Sequence, residues 1–239
     1  MVPKDTSQIK SKYFDFTELS KSRGHIACEY KGWNGLSVTK FDIPKGKRLS
    51  NSFINSHYHD LYDKEKIFVI TKGSLGLRTE GYQISLGKYD AVDFVSGSQK
   101  YQMSSSEDST VFMISAKDLK TFTGKPVFFN FKKDIEAKDL WGGQCISRPY
   151  EGRGLTLVLF DLKPGFKFED KGHTNEQITW LTEGKMDFYS NGKNKTITVD
   201  VGVDIGPNHI HGGVSSGAIG FDAFFPKRNE EKYNFFLNK

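Results

Sequence analysis

Tyr30-Lys31-Gly32-Trp33-Asn34-Gly35-Leu36, followed by Phe41-Asp42-Ile43-Pro44-Lys45-Gly46, is written a second time further along the chain. The later copy is Tyr150-Glu151-Gly152-Arg153-Gly154-Leu155, followed by Phe160-Asp161-Leu162-Lys163-Pro164-Gly165. A third block, Ile70-Thr71-Lys72-Gly73, matches Leu181-Thr182-Glu183-Gly184, and Gly81 then matches Gly192. The lead-ins agree as well, Phe14-Asp15-Phe16 against Phe129-Asn130-Phe131. Matched blocks in one order read as an internal duplication. The first copy is longer between its glycines, and the extra residues fall in the polar stretch from Leu49 to Lys64, which reads as an enlarged loop. Two units are therefore expected, residues 12–118 and 127–236, with the boundary near 118–126.

Within each copy the signal is short strands. Ile67-Phe68-Val69-Ile70, Ile178-Thr179-Trp180-Leu181 and Thr156 to Leu162 are apolar runs stopped by turn residues. Met186 to Tyr189 and Thr196 to Val199 flank Asn191-Gly192, a hairpin turn. Lys133 to Leu140 reads as one short helix between the copies. Many short strands with frequent turns make an all-β sandwich or barrel, here two in tandem. The wider composition agrees: 24 glycines, 20 phenylalanines and 10 tyrosines suit turns and pleated surfaces.

Composition also excludes function classes. The 34 basic and 29 acidic residues leave +5, spread out without a Lys/Arg-rich run, so no nucleic-acid footprint is present. No apolar run reaches transmembrane length, and the N-terminal residues carry no signal-peptide core. Cys28 and Cys145 alone cannot build a disulfide framework or a thiolate zinc site. A cytoplasmic protein with neither membrane nor nucleic-acid partner is expected.

Five of the six histidines fall at matching places, His57 and His59 in the first copy and His173, His209 and His211 in the second. Residues 171, 173 and 177 share parity, so strand alternation would point Lys171, His173 and Gln177 to one face, the interior of a small barrel. His211 then arrives from a later strand. Two imidazoles and an amide oxygen suit one divalent first-row metal, Mn, Fe, Co, Ni or Zn; ordinary polar residues at a barrel mouth are the rival reading. Glu176, of opposite parity to Gln177, should face away. In the first copy Lys66 holds the position of Gln177 and the last histidine's place falls near Lys100, so a metal is not expected there; His57, His59 and Glu65 offer at most a partial site.

With these residues in view, both copies resemble cupin domains, and the whole resembles a bicupin: two double-stranded β-helix (jelly-roll) barrels. The family's first motif is Gly, five residues, His-x-His, three or four residues, Glu or Gln, six residues, Gly; its second supplies a final His after a Pro. The second copy follows it from Gly165 to Gly184 and at Pro207-Asn208-His209-Ile210-His211, except that Lys171 stands where the first His belongs. The resemblance implies a three-ligand site of His173, Gln177 and His211 with open positions, and it alone points to a homodimer. Residues 150–235 further resemble the single-domain cupins of pectin degradation, through Glu176-Gln177, Ile205 to Gly212 and Asp222-Ala223-Phe224-Phe225-Pro226-Lys227-Arg228. Those proteins ring-open and ketonise unsaturated uronates, and the equivalent Asp, Phe and Arg are implicated in substrate handling. Phe224 and His209 are accordingly expected in the substrate pocket.

The tail also carries chemistry of its own. Asp222 among phenylalanines would have a raised pKa, fitting a general acid or base; pairing with Arg228 is the alternative. Arg228 and Lys171 could hold a carboxylate. The expectation is a metal-dependent isomerase or tautomerase, with Asp222, Arg228 and Lys171 catalytic and a small anionic, uronate-like substrate. The rivals are a non-catalytic sugar-acid or small-molecule binding protein, and a cupin lyase or dioxygenase.

Overall fold

A computed structural model of the 239-residue chain describes residues 9–23, 27–57, 64–94, 100–116 and 123–228. The architecture is nearly all β. A six-stranded antiparallel sheet runs β11 (Val127–Asn130), β8 (Asp90–Phe94), β5 (Lys66–Lys72), β10 (Ser109–Ala116), β3 (Leu36–Ile43), β2 (Ala27–Lys31). A four-stranded sheet runs β4 (Arg48–Ser50), β9 (Tyr101–Ser105), β6 (Leu75–Thr79), β7 (Tyr82–Leu86). A nine-stranded sheet runs β1 (Lys12–Asp15), β18 (Val201–Ile205), β16 (Glu176–Ser190), β19 (His211–Phe225), β14 (Thr156–Leu162), β13 (Cys145–Glu151), β12 (Lys138–Asp139), with β15 (Lys167–Asp170) beside β19 and β17 (Lys193–Thr198) beside β16. The two helices are α1 (Phe16–Arg23) and α2 (Asn51–His57). Among the described residues no helix is long and apolar enough to cross a membrane.

Three apolar cores explain the continuous hydrophobic runs. Phe68 and Ile70 of β5 point into the space between the six- and four-stranded sheets, together with Phe41, Leu77 and Met103. Ile67 and Val69, of opposite parity, pack instead on Leu157, Leu159, Ile178 and Trp180 of the second half. Phe160, Leu162, Phe188 and Val203 fill the interior of the second half. Strands β5 and β14 and the first six residues of β16 are thus buried on nearly all sides, and no polar alternation is available to them.

The halves also exchange strands. Phe14 of β1 lies opposite Gly202, in the sheet of the second half, and Phe129 of β11 lies opposite Ala91, in the sheet of the first. Each exchange ends alike, with Phe16 N–H donating to Asp200 O at 3.0 Å and Phe131 N–H to Tyr89 O at 3.0 Å. The sequence division at 118–127 is therefore crossed in both directions. The expected helix over 133–140 is absent: a turn capped by the Asn130 side chain, which accepts from Lys132 N–H at 2.9 Å, leads into β12. The polar stretch expected as a loop forms β4 and α2, and 58–63 lie outside the described residues. The Asn191-Gly192 hairpin forms as expected, with φ 49° and 74° and Ser190 opposite Lys193.

Candidate functional site

The interior of the second half opens to solvent through a cavity of about 640 Å³, open solvent at its mouth included. Its polar end is built by three elements. β15 delivers Asp170, β16 delivers Gln177 and Thr179, and β19 delivers His211 and Asp222; Arg228 follows Phe225 at the end of β19. The barrel interior receives Gln177 and Thr179 because Ile178 and Trp180, of opposite parity, are committed to the core between the halves. Glu176 faces the same way as they do: it is fully buried and accepts from Asn34 N–H at 2.9 Å and Leu36 N–H at 2.8 Å.

Ligand atoms of Asp170, His173 and His211 lie within 4.8 Å of one another, close enough to share one ion. The two imidazoles are oriented in the same manner. His173 Nδ1 faces the Asn175 carbonyl at 3.0 Å, and His211 Nδ1 faces the His209 carbonyl at 2.9 Å. A carbonyl only accepts, so each Nδ1 carries the proton and each Nε2 presents a lone pair. The rings meet at 5.4 Å and 89°. Gln177 is oriented as firmly: its Nε2 donates to Thr179 Oγ1 at 3.0 Å and to Asp222 Oδ1 at 3.1 Å, which turns Oε1 toward His173 Nε2 at 2.8 Å. Two acceptors thus face one another. A proton between them is disfavoured, because burial, with Arg228 and His211 nearby, pushes His173 down to about 4. A cation placed between them would satisfy both lone pairs.

Asp170 is the candidate ligand that strand counting missed. β15 ends at Asp170, and Gly172 then takes φ 97°, so alternation does not continue through Lys171 to His173. Asp170 turns inward and accepts from Gly172 N–H at 2.8 Å. The Asp-x-Gly spacing of that turn was the available signal. Lys171 consequently points away from the cavity: its side chain is 51% exposed and pairs with Glu169 at 2.5 Å. The like-parity placement of Lys171 beside the site is corrected on this point. His209 is likewise not among the residues lining the cavity: its Nδ1 lies 2.8 Å from Ser11 Oγ, and it is its backbone carbonyl that faces His211 Nδ1. Phe224 lines the cavity.

Arg228 lines the cavity too, but its Nη2 is engaged with Asp170 Oδ2 at 2.9 Å, both buried, and its guanidinium lies 5.2 Å from the Phe224 ring centroid. Against burial, which opposes ionisation, His211 and Arg228 hold the Asp170 carboxyl below its usual range. Asp222 does not pair with Arg228. It accepts from Thr179 Oγ1 at 2.5 Å and from Gln177, and burial pushes it up to about 6 despite those bonds.

The first half has no matching donor set among its described residues. Lys66 occupies the place of Gln177, fully buried. By hairpin register the counterpart of His211 is Tyr101 rather than Lys100: Thr79 pairs Tyr101 just as Ser190 pairs His211. Tyr101 stacks on Phe94 at 4.4 Å, and Lys100 is exposed, 3.8 Å from Glu80. His57 sits exposed at the end of α2, and His59 lies outside the described residues. Glu65 reaches the other half, accepting from Arg153 N–H and Gly154 N–H at 2.6 and 2.8 Å.

No protein-family model and no curated protein sequence matches the chain. Solved structures do match. A cupin 2 conserved barrel domain protein from Leptotrichia buccalis is 12% identical at TM-score 0.62, covering 93% of this chain and 100% of that one. A putative glyoxylate-induced protein from Pseudomonas aeruginosa is 12% identical at TM-score 0.66, covering 84% and 79%. Oxalate decarboxylase from Bacillus subtilis, in a structure described for its Mn(II) centres, is 8% identical at TM-score 0.66, covering 95% and 80%. At such identities the likeness is one of fold, and the fold is that of the cupins.

Proposed function

We propose that the chain is a metal-dependent cupin-fold enzyme whose second half binds one divalent first-row ion and moves a proton on a small carboxylated carbonyl compound. The facing lone pairs of His173 Nε2 and Gln177 Oε1, 2.8 Å apart, carry this reading. His173, His211 and Asp170 would hold the ion, with Gln177 beside them, and Mn(II) in the oxalate decarboxylase of like fold is in keeping with this set. A bound ion would polarise a substrate oxygen. Asp222 accepts both its hydrogen bonds on Oδ1, so Oδ2 is the basic atom for a carbon-bound proton, and a pKa near 6 suits transfer in either direction. Thr179 and Gln177 hold that carboxylate in place. Arg228, already paired with Asp170, contributes positive charge at the head of the ligand.

The two units, residues 12–118 and 127–236, we read as tandem barrels from one duplication. The matched sequence blocks and the reciprocal strand exchange support it.

Metal analysis of the purified chain tests the centre: about one ion per chain is expected, with His211→Ala reducing it to background. Deuterium exchange at the carbon next to the carbonyl of a 2-oxo acid, followed by NMR, tests the chemistry. Asp222→Asn should keep metal and lower that exchange by about 10²–10⁴-fold. Full exchange in that variant removes Asp222 as the base.

A further inference from the structure

The cavity divides into two unlike parts. Its hydrogen-bonding groups are gathered at the end where Asp170, His211, Gln177 and Asp222 meet. From there an aromatic wall runs along the lining. Phe188 lies 6.2 Å from His211 at 27°, Phe168 lies 6.3 Å from Phe188, Phe166 stacks on Phe168 at 6.1 Å and 13°, and Trp141 closes the series 5.0 Å from Phe166. Phe160 and Leu162 face it from β14. Beyond the polar end, the lining side chains offer only the Ser147 hydroxyl, the Trp141 indole and the Cys145 thiol, which burial keeps protonated by pushing it up to about 12.

We propose that this cavity takes a small oxyanion-headed molecule with an aromatic or branched apolar body, and not a sugar acid: the head lies at the Asp170, His173 and His211 end and the body lies along the wall from Phe188 to Trp141. The assignment of the head rests on the metal reading above; that of the body rests on the wall. A hydroxylated ring in this space would leave several hydroxyls without partners, and each unpaired buried hydroxyl weakens binding. An apolar body gains from the water it leaves.

Titration calorimetry of the full chain with phenylpyruvate, pyruvate and galacturonate, with Mn2+ and again in EDTA, tests this. Phenylpyruvate and pyruvate share a head and differ in body. Phenylpyruvate should bind about ten-fold tighter or more, from burial of the phenyl group, and galacturonate should bind no better than pyruvate. Trp141→Ala should cut the phenylpyruvate advantage about three-fold or more, leaving pyruvate and Mn2+ affinities unchanged, and Trp141→Phe should restore most of it. If Mn2+ does not bind but the preference persists in EDTA, the metal reading and the head assignment that rests on it fail, and the apolar-body assignment stands. If Mn2+ binds but phenylpyruvate and pyruvate bind alike, or galacturonate binds best, or none of the three binds in the millimolar range, the apolar-body assignment is overturned.

Discussion

Asp170 and Lys171 are neighbours in the chain with opposite fates. Asp170 is buried against Arg228, while Lys171 sits at the surface against Glu169. A surface pair of that kind is screened by solvent and contributes little, so Lys171→Met should leave the urea midpoint close to the parent's and metal content intact. Asp170→Asn should behave very differently. It keeps the shape but removes one charge of a buried ion pair, a loss of about 3–5 kcal/mol, and it removes a candidate ligand atom. Urea unfolding and metal titration of the two variants side by side check both statements. Equal stability of the two would mean that the Asp170–Arg228 pair does not hold the end of β19 down.

Strands β16 and β19 each run for 15 residues and pair along their length, so they must bend to serve two walls of one interior. The bend lies where the register shifts, between Leu181 and Glu183 and between Gly184 and Met186. Gly184 has φ 75°, and a Cβ there would stand 1.8 Å from the Gly217 carbonyl oxygen. Gly192, with φ 74°, has nothing within 4 Å. Gly192→Ala should therefore cost only the left-handed backbone strain, about 1–2 kcal/mol, whereas Gly184→Ala should cost at least about 3 kcal/mol, since backbone must move. Thermal unfolding of the pair gives the comparison. These two glycines also mark what the sequence made legible. Asn191-Gly192 announces its hairpin by local chemistry alone, and the apolar runs of β5, β14 and β16 announce buried strands. The inward sides of Gln177, and of Asp222 with Phe224, agree with parity within one continuous strand. Parity fails where the chain is not extended, at Gly172, and this misplaces Lys171 and hides Asp170. The exchange of β1 and β11 is equally hidden, because Phe-x-Phe says that a strand is buried and not which sheet it joins.

At the scale of the whole molecule the two halves are fastened by reciprocal polar contacts within an apolar core. Glu176 reaches back to the backbone of 34 and 36, and Glu65 reaches forward to that of 153 and 154. Gly32 and Gly152 make room: a Cβ at either would lie 2.0 or 2.6 Å from the carboxylate it faces. Tyr30 donates to Asp204 at 3.1 Å, and Tyr150 to Asp93 at 2.8 Å. The motif residues repeated in the sequence, Tyr-x-Gly, are thus the ones that meet the other half. This interface makes stability depend on pH. Burial, before any other cause, raises Glu176 to about 8 and Asp204 to about 7, and burial with Glu65 beside it raises Asp93. In the folded chain these groups hold protons that the unfolded chain has already released, so their stabilisation is complete below the unfolded carboxyl range and is lost as pH rises through the folded values. His173 works in the opposite sense, folded near 4 against 6.5 unfolded, but its contribution is complete once pH exceeds about 6.5. Above that point only the carboxyls act. Each contributes a slope of about 1.4 kcal/mol per pH unit while it is protonated in the folded chain alone. The melting temperature should therefore fall between pH 6.5 and 8.5, by about 2–4 °C for each kcal/mol lost. Asp93→Asn and Asp204→Asn keep a carbonyl acceptor for their tyrosines and no longer titrate, so the double variant should show a flatter fall. Calorimetric scans of both proteins across that range measure the slopes; a melting temperature that rises over this interval would mean that these carboxyls are ionised in the folded chain and that the backbone N–H groups of the opposite half, not protonation, compensate their burial.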